Sequence, residues 1–280
     1  MSSLMTEPTV TTERAWGGQS MVAPLKRVLV RRPAAPEVEG HFADFGYPRA
    51  VDHDRTEWEH DAFRALLAEA GAEVVVAGPD ETGLLDAIFA YDPSLMTDAG
   101  AVLLRPGKDL RLAEVDLAER SYAELGIPVI GRIEAPGTVE GGDTLWLDER
   151  TLVVGRGYRT NDEGIRQLGE LIASRGGQVV PVALDGVLHL KSAVTALPDG
   201  TIVCADERLV DTEALPRVQV VPEEAGSHVV LLGEDRVLMA ASAPRSAQLF
   251  REAGLDVTTV DISEFEKMEG CVTCLSVLVP

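Results

Sequence analysis

Basic residues are scarce in this chain of 280 residues: 25 Lys and Arg stand against 46 Asp and Glu, a formal net charge of -21. A field of that sign repels phosphate backbones and anionic lipid surfaces, which argues against nucleic acid and membranes as partners. It mildly attracts cationic small molecules, although the same charge also serves ordinary solubility. Cysteine is scarce too. Cys204, Cys271 and Cys274 make an odd, small set that does not suit a disulfide framework, so a reducing, cytoplasmic setting is expected. No run of about 18 apolar residues occurs, and the N-terminus lacks a basic segment followed by an apolar one, so neither a membrane span nor a secretion signal is expected. No G-x-G-x-x-G lies between a strand and a helix, which removes the main sequence reason to expect a dinucleotide-binding sheet. Linker-like and low-complexity tracts are missing as well, and length alone leaves the domain count open.

What is present is an alternation of short β-branched runs with helical stretches. Runs such as Val28-Leu29-Val30, Val74-Val75-Val76, Leu152-Val153-Val154, Val218-Gln219-Val220-Val221 and Val257-Thr258-Thr259-Val260 predict strands. The spacing from Glu57 to Ala70 predicts a helix with Trp58, Phe63, Leu66 and Leu67 along one stripe, closed by Gly71. A second helix is expected over Gly164 to Ser174, with N-cap candidates in Thr160-Asn161-Asp162. The phrase helix, Gly, charged or polar residue, Val-Val recurs after Ala70 and Ser174 and, with Val-Thr in place of Val-Val, after Ala253, a weak repeat. A period of roughly 50 residues suits a radial array of supersecondary modules, and a doubly wound sheet would read similarly.

Three phrases carry candidate chemistry. Cys271 and Cys274 form a C-x-x-C that runs straight into the β-rich Leu275-Ser276-Val277-Leu278-Val279, whereas redox pairs normally open a helix. No second C-x-x-C or H-x-x-x-H supplies the other half of a zinc site. Inert buried cysteine and a nucleophile remain, and a nucleophile needs a base. Of the five histidines, His53 and His60 sit in an acidic run expected to be a solvated turn and helix start, and only His189 has an apolar frame, Val187-Leu188-His189-Leu190. A histidine there is either a hydrogen-bonded core residue or a catalyst. Glu140-Gly141-Gly142-Asp143 lets the backbone approach closely and aim a carboxylate, or is simply a turn. Asp86 and Asp92 bracket aromatic residues, and a buried carboxylate in such company requires a cationic partner. The Gly- and Pro-containing stretch from His41 to His53 is either a lid over a site or an ordinary surface loop.

In this order and at these separations the phrases resemble the dimethylarginine dimethylaminohydrolases of the guanidine-modifying, or pentein, superfamily. The likeness is near full length. It runs from Val28-Leu29-Val30-Arg31-Arg32-Pro33 through Asp86, Phe89 and Asp92, Leu104-Arg105-Pro106-Gly107 with Arg111, and Glu140-Gly141-Gly142-Asp143. It continues in Arg159-Thr160-Asn161, Leu188-His189-Leu190-Lys191-Ser192 and Thr273-Cys274-Leu275-Ser276-Val277-Leu278. The resemblance implies an α/β fold, a five-bladed propeller of ββαβ modules around a pseudo-fivefold axis with the site in its central opening. Residues 21–280 would form one catalytic domain and residues 1–20 an extension. It implies a cofactor-free and metal-free hydrolase that cleaves a C–N bond of a methylated arginine, giving citrulline and an alkylamine. Cys274 would be the nucleophile, His189 the acid and base, and Glu140 the carboxylate that orients the imidazole. Asp92 would anchor the guanidinium with Phe89 beside it, Arg111 and Arg159 would take the substrate carboxylate, and Asp86 its α-amino group. The partner is then a small cationic guanidino compound, with a homodimer the candidate assembly.

Two details bear on the substrate. Arginine deiminases and amidinotransferases carry H-x-D where this chain has His189-Leu190-Lys191, and loss of that Asp suits a methylated nitrogen. Tyr91 stands where the hydrolases commonly carry Glu, and Pro93 follows the anchor as in deiminases, so deiminase, dihydrolase or amidinotransferase action on another guanidino compound is the alternative. A non-catalytic binder of cationic amino acids and a redox protein built on Cys271-Val272-Thr273-Cys274 are the readings from other classes.

Overall fold

The computed structural model describes residues 18–20, 22–23, 25–36, 41–47, 49–78 and 83–279. Strand β1 (Arg27–Arg31) is followed by α1 (His41–Asp44), α2 (His53–Glu69) and β2 (Glu73–Ala77). Next come β3 (Ser94–Thr97), β4 (Gly100–Leu103), α3 (Glu114–Glu124) and β5 (Val129–Arg132). The third group is β6 (Thr144–Trp146), β7 (Thr151–Arg156), α4 (Asp162–Ala173) and β8 (Gln178–Ala183). A single turn, α5 (Leu190–Ala193), leads into β9 (Val194–Ala196), β10 (Ile202–Cys204) and β11 (Val218–Val220). The last group is β12 (Val229–Leu231), β13 (Arg236–Ala240), α6 (Pro244–Glu252) and β14 (Asp256–Val260), and the chain ends with α7 (Ser263–Lys267) and β15 (Ser276–Val279).

These elements build five three-stranded sheets of one design. The middle strand pairs antiparallel with the strand before it and parallel with the strand after it, as β4 does with β3 and β5, and β13 with β12 and β14. A parallel partner needs a crossover, and α2, α3, α4 and α6 supply it in four modules. In the fourth, 3-10 turns at Glu207–Leu209 and Thr212–Ala214 take its place. The first sheet is closed by the end of the chain: β15 lies antiparallel to β1, with Leu29 opposite Val277. The result is the expected array of ββαβ modules. Five separate clusters of buried apolar residues fill it rather than one central core, as a ring of small sheets around an open centre requires.

The glycine phrase of the sequence repeat ends α2, α4 and α6 and introduces β2, β8 and β14. Gly71, Gly176 and Gly254 adopt positive φ there. Helix α4 starts where its cap predicts, with the Asn161 side chain accepting from Gly164 N at 2.8 Å. The reading of α2 needs two corrections. Trp58 is 61% exposed, and the buried stripe runs through Thr56, Glu59, His60, Phe63 and Leu67. His60 is therefore not solvated. Burial, with help from Arg64, pushes its imidazole down to about 4.

Most of the N-terminal extension, residues 1–17, lies outside the described residues. Gln19, on the extension side of the boundary expected at residue 21, hydrogen-bonds to Glu149 O and receives Asp98 N. No helix among the described residues is long and apolar enough to cross a membrane.

Candidate active site

Three strands that the sequence patterns leave unmarked, β3, β6 and β9, begin immediately after phrases that carry candidate chemistry. Asp92 precedes β3, Glu140-Gly141-Gly142-Asp143 precedes β6, His189 and α5 precede β9, and Cys274 precedes β15. Each module thus presents the segment before its first strand, and the candidate residues occupy related places in four of the five modules.

Cys274, His189, Asp92, Asp86, Phe89, Arg111 and Arg159 line one cleft. Glu140 lies just behind it, fully buried. The eight residues singled out from the sequence are therefore brought together.

The Glu140 carboxylate is paired on both oxygens. Oε2 bonds His189 Nε2 at 2.7 Å, Oε1 accepts from Gly107 N at 3.0 Å, and Arg159 Nη1 donates to both at 3.1 and 3.2 Å. Burial alone would raise this carboxyl, but the His189 hydrogen bond and the charges of Arg111 and Arg159 hold it well below its usual range. The converse holds at His189. Burial disfavours its charged form, yet Asp92, the hydrogen bond to Glu140, and Asp143 together raise it to about 9, so the ring is an imidazolium at neutral pH. Gly142 makes this possible. A Cβ on it would stand 2.7 Å from both Cγ and Nδ1 of His189, so no other residue permits the ring this position.

Asp92 accepts Gly142 N at 2.8 Å on one oxygen and Arg111 Nη1 at 2.7 Å on the other. The Arg111 guanidinium is itself enclosed by carboxylates: it donates to Glu114 at 2.8 Å and lies 3.7 Å from Asp86 and 3.6 Å from Glu140. Both arginines expected to meet a substrate carboxylate are thus held on the protein's own acids. Asp86 accepts Lys108 Nζ at 2.7 Å and the Tyr47 hydroxyl. Lys108, Tyr47 and Glu114 were not legible as site residues. Lys108 is one lysine in a turn, Glu114 opens an ordinary helix, and Tyr47 belongs to the stretch from His41 to His53. Two residues of that stretch reach the cleft: Lys108 Nζ donates to Phe45 O at 2.8 Å, and Tyr47 is among the lining residues. Residues 37–40 before it and residue 48 within it lie outside the described residues.

The cluster sets Asp86, Asp92, Glu114 and Glu140 against Lys108, Arg111, Arg159 and protonated His189. Asp92, Glu140 and His189 also place ligand atoms within 4.8 Å of one another, as a metal site would, but cationic side chains already balance these carboxylates. Cys274 is 9% exposed, and its thiol lies 3.1 Å from that of Cys271, with Cys274 N bonded to Cys271 O at 3.0 Å. The site therefore offers a thiol, a charged imidazole held by a carboxylate, and a further acid, Asp92, able to pair with a planar cation. These are the parts needed for nucleophilic attack at an amidine carbon.

No sequence-family model matches the chain. It is similar to the N(G),N(G)-dimethylarginine dimethylaminohydrolase of Streptomyces coelicolor, 44% identical over 255 residues, which span 91% of this chain and 97% of that one. The enzyme of the same name from Pseudomonas aeruginosa is 30% identical over 257 residues, 90% of this chain and 98% of that one. Among solved structures, a dimethylarginine dimethylaminohydrolase from Pseudomonas aeruginosa in complex with citrulline superposes with a TM-score of 0.79 at 29% identity, covering 91% of this chain and all (100%) of that one.

Proposed function

The chain belongs to the dimethylarginine dimethylaminohydrolase family, and from that membership we propose that its site hydrolyses the C–N bond of a methylated arginine by way of an adduct on Cys274. The observation that carries the assignment of roles is the bond of 2.7 Å between His189 and Glu140 in the cleft that Cys274 lines.

The substrate guanidinium takes over Asp92, displacing Arg111, whose fork then turns to the substrate carboxylate with Arg159. A cation beside the thiol favours its ionised form, so the substrate activates its own nucleophile. The Cys274 thiolate adds to the guanidinium carbon. His189, charged and held by Glu140, gives its proton to the methylated nitrogen through the ring nitrogen that Glu140 does not engage, and the amine departs as the C–N bond breaks. An amidino adduct on sulfur remains. Neutral His189 now takes a proton from water, which attacks the same carbon, and collapse expels the thiolate and leaves citrulline.

Preference for a methylated nitrogen is supported by Lys191, whose Nζ lies 3.5 Å from the centre of the Tyr91 ring. The position that carries an Asp in deiminases is here a cation stacked on an aromatic face, so that end of the guanidinium meets no second acid. Incubation with arginine and with its mono- and dimethylated forms, followed by identification of the amine released, tests the reading. Dimethylamine or methylamine with citrulline is expected, and ammonia from arginine as the main product overturns it. Cys274→Ser and His189→Ala are expected to abolish turnover with the circular dichroism spectrum unchanged.

A further inference from the structure

The C-x-x-C phrase has a second half that hydrolysis leaves unused. Cys271 is buried, yet its Sγ lies 3.1 Å from Cys274 Sγ. A tight turn holds the two, with Cys274 N donating to Cys271 O at 3.0 Å, which keeps their α-carbons within the reach a disulfide requires. Thr273 Oγ1 is 3.0 Å from the Cys271 sulfur on the other side. Cys204, the remaining cysteine, is buried in β10 in the fourth module and belongs to a different apolar cluster.

We propose that Cys271 is a resolving thiol, and that hydrogen peroxide converts the pair into a Cys271–Cys274 disulfide that silences the enzyme reversibly and protects its nucleophile. The proposal rests on Cys274 being the nucleophile. Peroxide enters by the cleft, which Cys274 lines and Cys271 does not. The Cys274 thiolate attacks one peroxide oxygen. An S–O bond forms, the O–O bond breaks, and hydroxide leaves and takes a proton to become water, so sulfur is oxidised to the sulfenic acid and peroxide is reduced. The Cys271 thiolate then attacks Cys274 Sγ. The S–S bond forms, the S–O bond breaks, and the hydroxide leaves as a second water.

The pair is disposed to hold one proton between its two sulfurs. The mutual hydrogen bond, ahead of burial, draws Cys271 well below the ordinary thiol value and pushes Cys274 well above it. At rest the shared proton therefore lies on Cys274, and its passage to Cys271 across the 3.1 Å contact supplies the Cys274 thiolate for the first step. His228, which precedes β12 as the catalytic residues precede their strands, is a lesser cause of the lowering at Cys271.

The test treats the full-length protein with hydrogen peroxide and follows intact mass, turnover, and recovery in dithiothreitol, for the wild type, Cys271→Ser and Cys271→Ala. The wild type is expected to lose turnover as its mass falls by two hydrogens, to show a peptide with Cys271 and Cys274 linked, and to regain most of its turnover on reduction. The two variants are expected to retain most of their turnover before oxidation, but then to gain oxygens as sulfinic and sulfonic acid and stay inactive in dithiothreitol. A wild type whose mass never falls by two hydrogens overturns the proposal, as does equal recovery of the variants. Survival of turnover in Cys274→Ser removes the nucleophile assignment, while the mass measurement still decides whether the two sulfurs join.

Discussion

At the scale of single residues, the Glu140–His189 pair decides how the site responds to pH. The His189 value rises from 6.5 to about 9 because carboxylates favour its charged form despite burial. A raised value means that the fold binds this proton more tightly than the unfolded chain does. The stabilisation is then fully present below 6.5 and is lost as pH climbs through about 9. The stability deficit of His189→Ala in urea titrations is accordingly expected to be greatest below pH 6.5 and to shrink as pH rises to about 9. In the proposed mechanism the same proton is the acid of the first step, so kcat/KM is expected to fall on an alkaline limb centred near 9, and a limb near 6.5 would contradict the ion pair. Gly142 is the second lever. Its hydrogen leaves room for the imidazole, and Gly142→Ala forces the ring aside, for which a loss of kcat on the order of a hundredfold is expected, measured on folded protein. His189 and the double glycine could be singled out by reading along the chain because their neighbours betray them: an apolar frame in one case, a backbone free to approach in the other. Lys108 and Tyr47 could not, since nothing beside them says that both converge on Asp86.

Among the elements, α2 shows where periodicity misleads. Hydrophobicity puts Trp58 on the inner stripe, but the helix is rotated so that Glu59 faces inward. The physical reason is α7, whose N-cap residue, Ile262, has no side chain able to accept a hydrogen bond. Glu59 accepts Glu264 N at 2.9 Å and Ser263 Oγ at 2.8 Å, and Arg55 pairs with it at 3.1 Å. A carboxylate at a helix start satisfies free N–H groups that would otherwise be stranded, so a charged residue takes the place expected of an aromatic one. Phe63→Ala, which empties a fully buried position, is expected to cost about 3–5 kcal/mol, whereas Trp58→Ala should change stability by no more than about 0.5 kcal/mol. Chemical denaturation of the two variants distinguishes the observed rotation from the one that hydrophobicity suggests. The strands β3, β6 and β9 escaped notice for a related reason. They have only three or four residues, and SLMT, TLW and VTA lack the consecutive Val or Ile that mark the equally short β10 and β12.

The whole molecule is a ring closed by its own ends, with β15 completing the sheet begun by β1. Closure sets Cys274, two residues before β15, into the same cleft as Asp92 and His189 from other modules. Around that cleft lies a chain of net charge -21, and its field attracts a substrate whose side chain is cationic. Salt screens such a field, so kcat/KM is expected to fall several-fold between low salt and about 0.5 M, with kcat little changed. Invariance of kcat/KM in a salt titration would mean that the acidic surface serves solubility alone. The sequence by itself determined what local chemistry can announce. It set the alternation of strands and helices, the glycines that end α2, α4 and α6, and the residue types in order that marked the family and its eight candidate site residues. Tertiary structure alone decided which charges meet. The enclosure of Arg111 by four acids, the seat of Tyr47 on Asp86 and the approach of Cys271 to Cys274 depend on how side chains are aimed across sheets and turns. Local patterns encode the backbone's period, but a partner dozens of residues away is fixed only when packing removes water and leaves each buried charge one place to go.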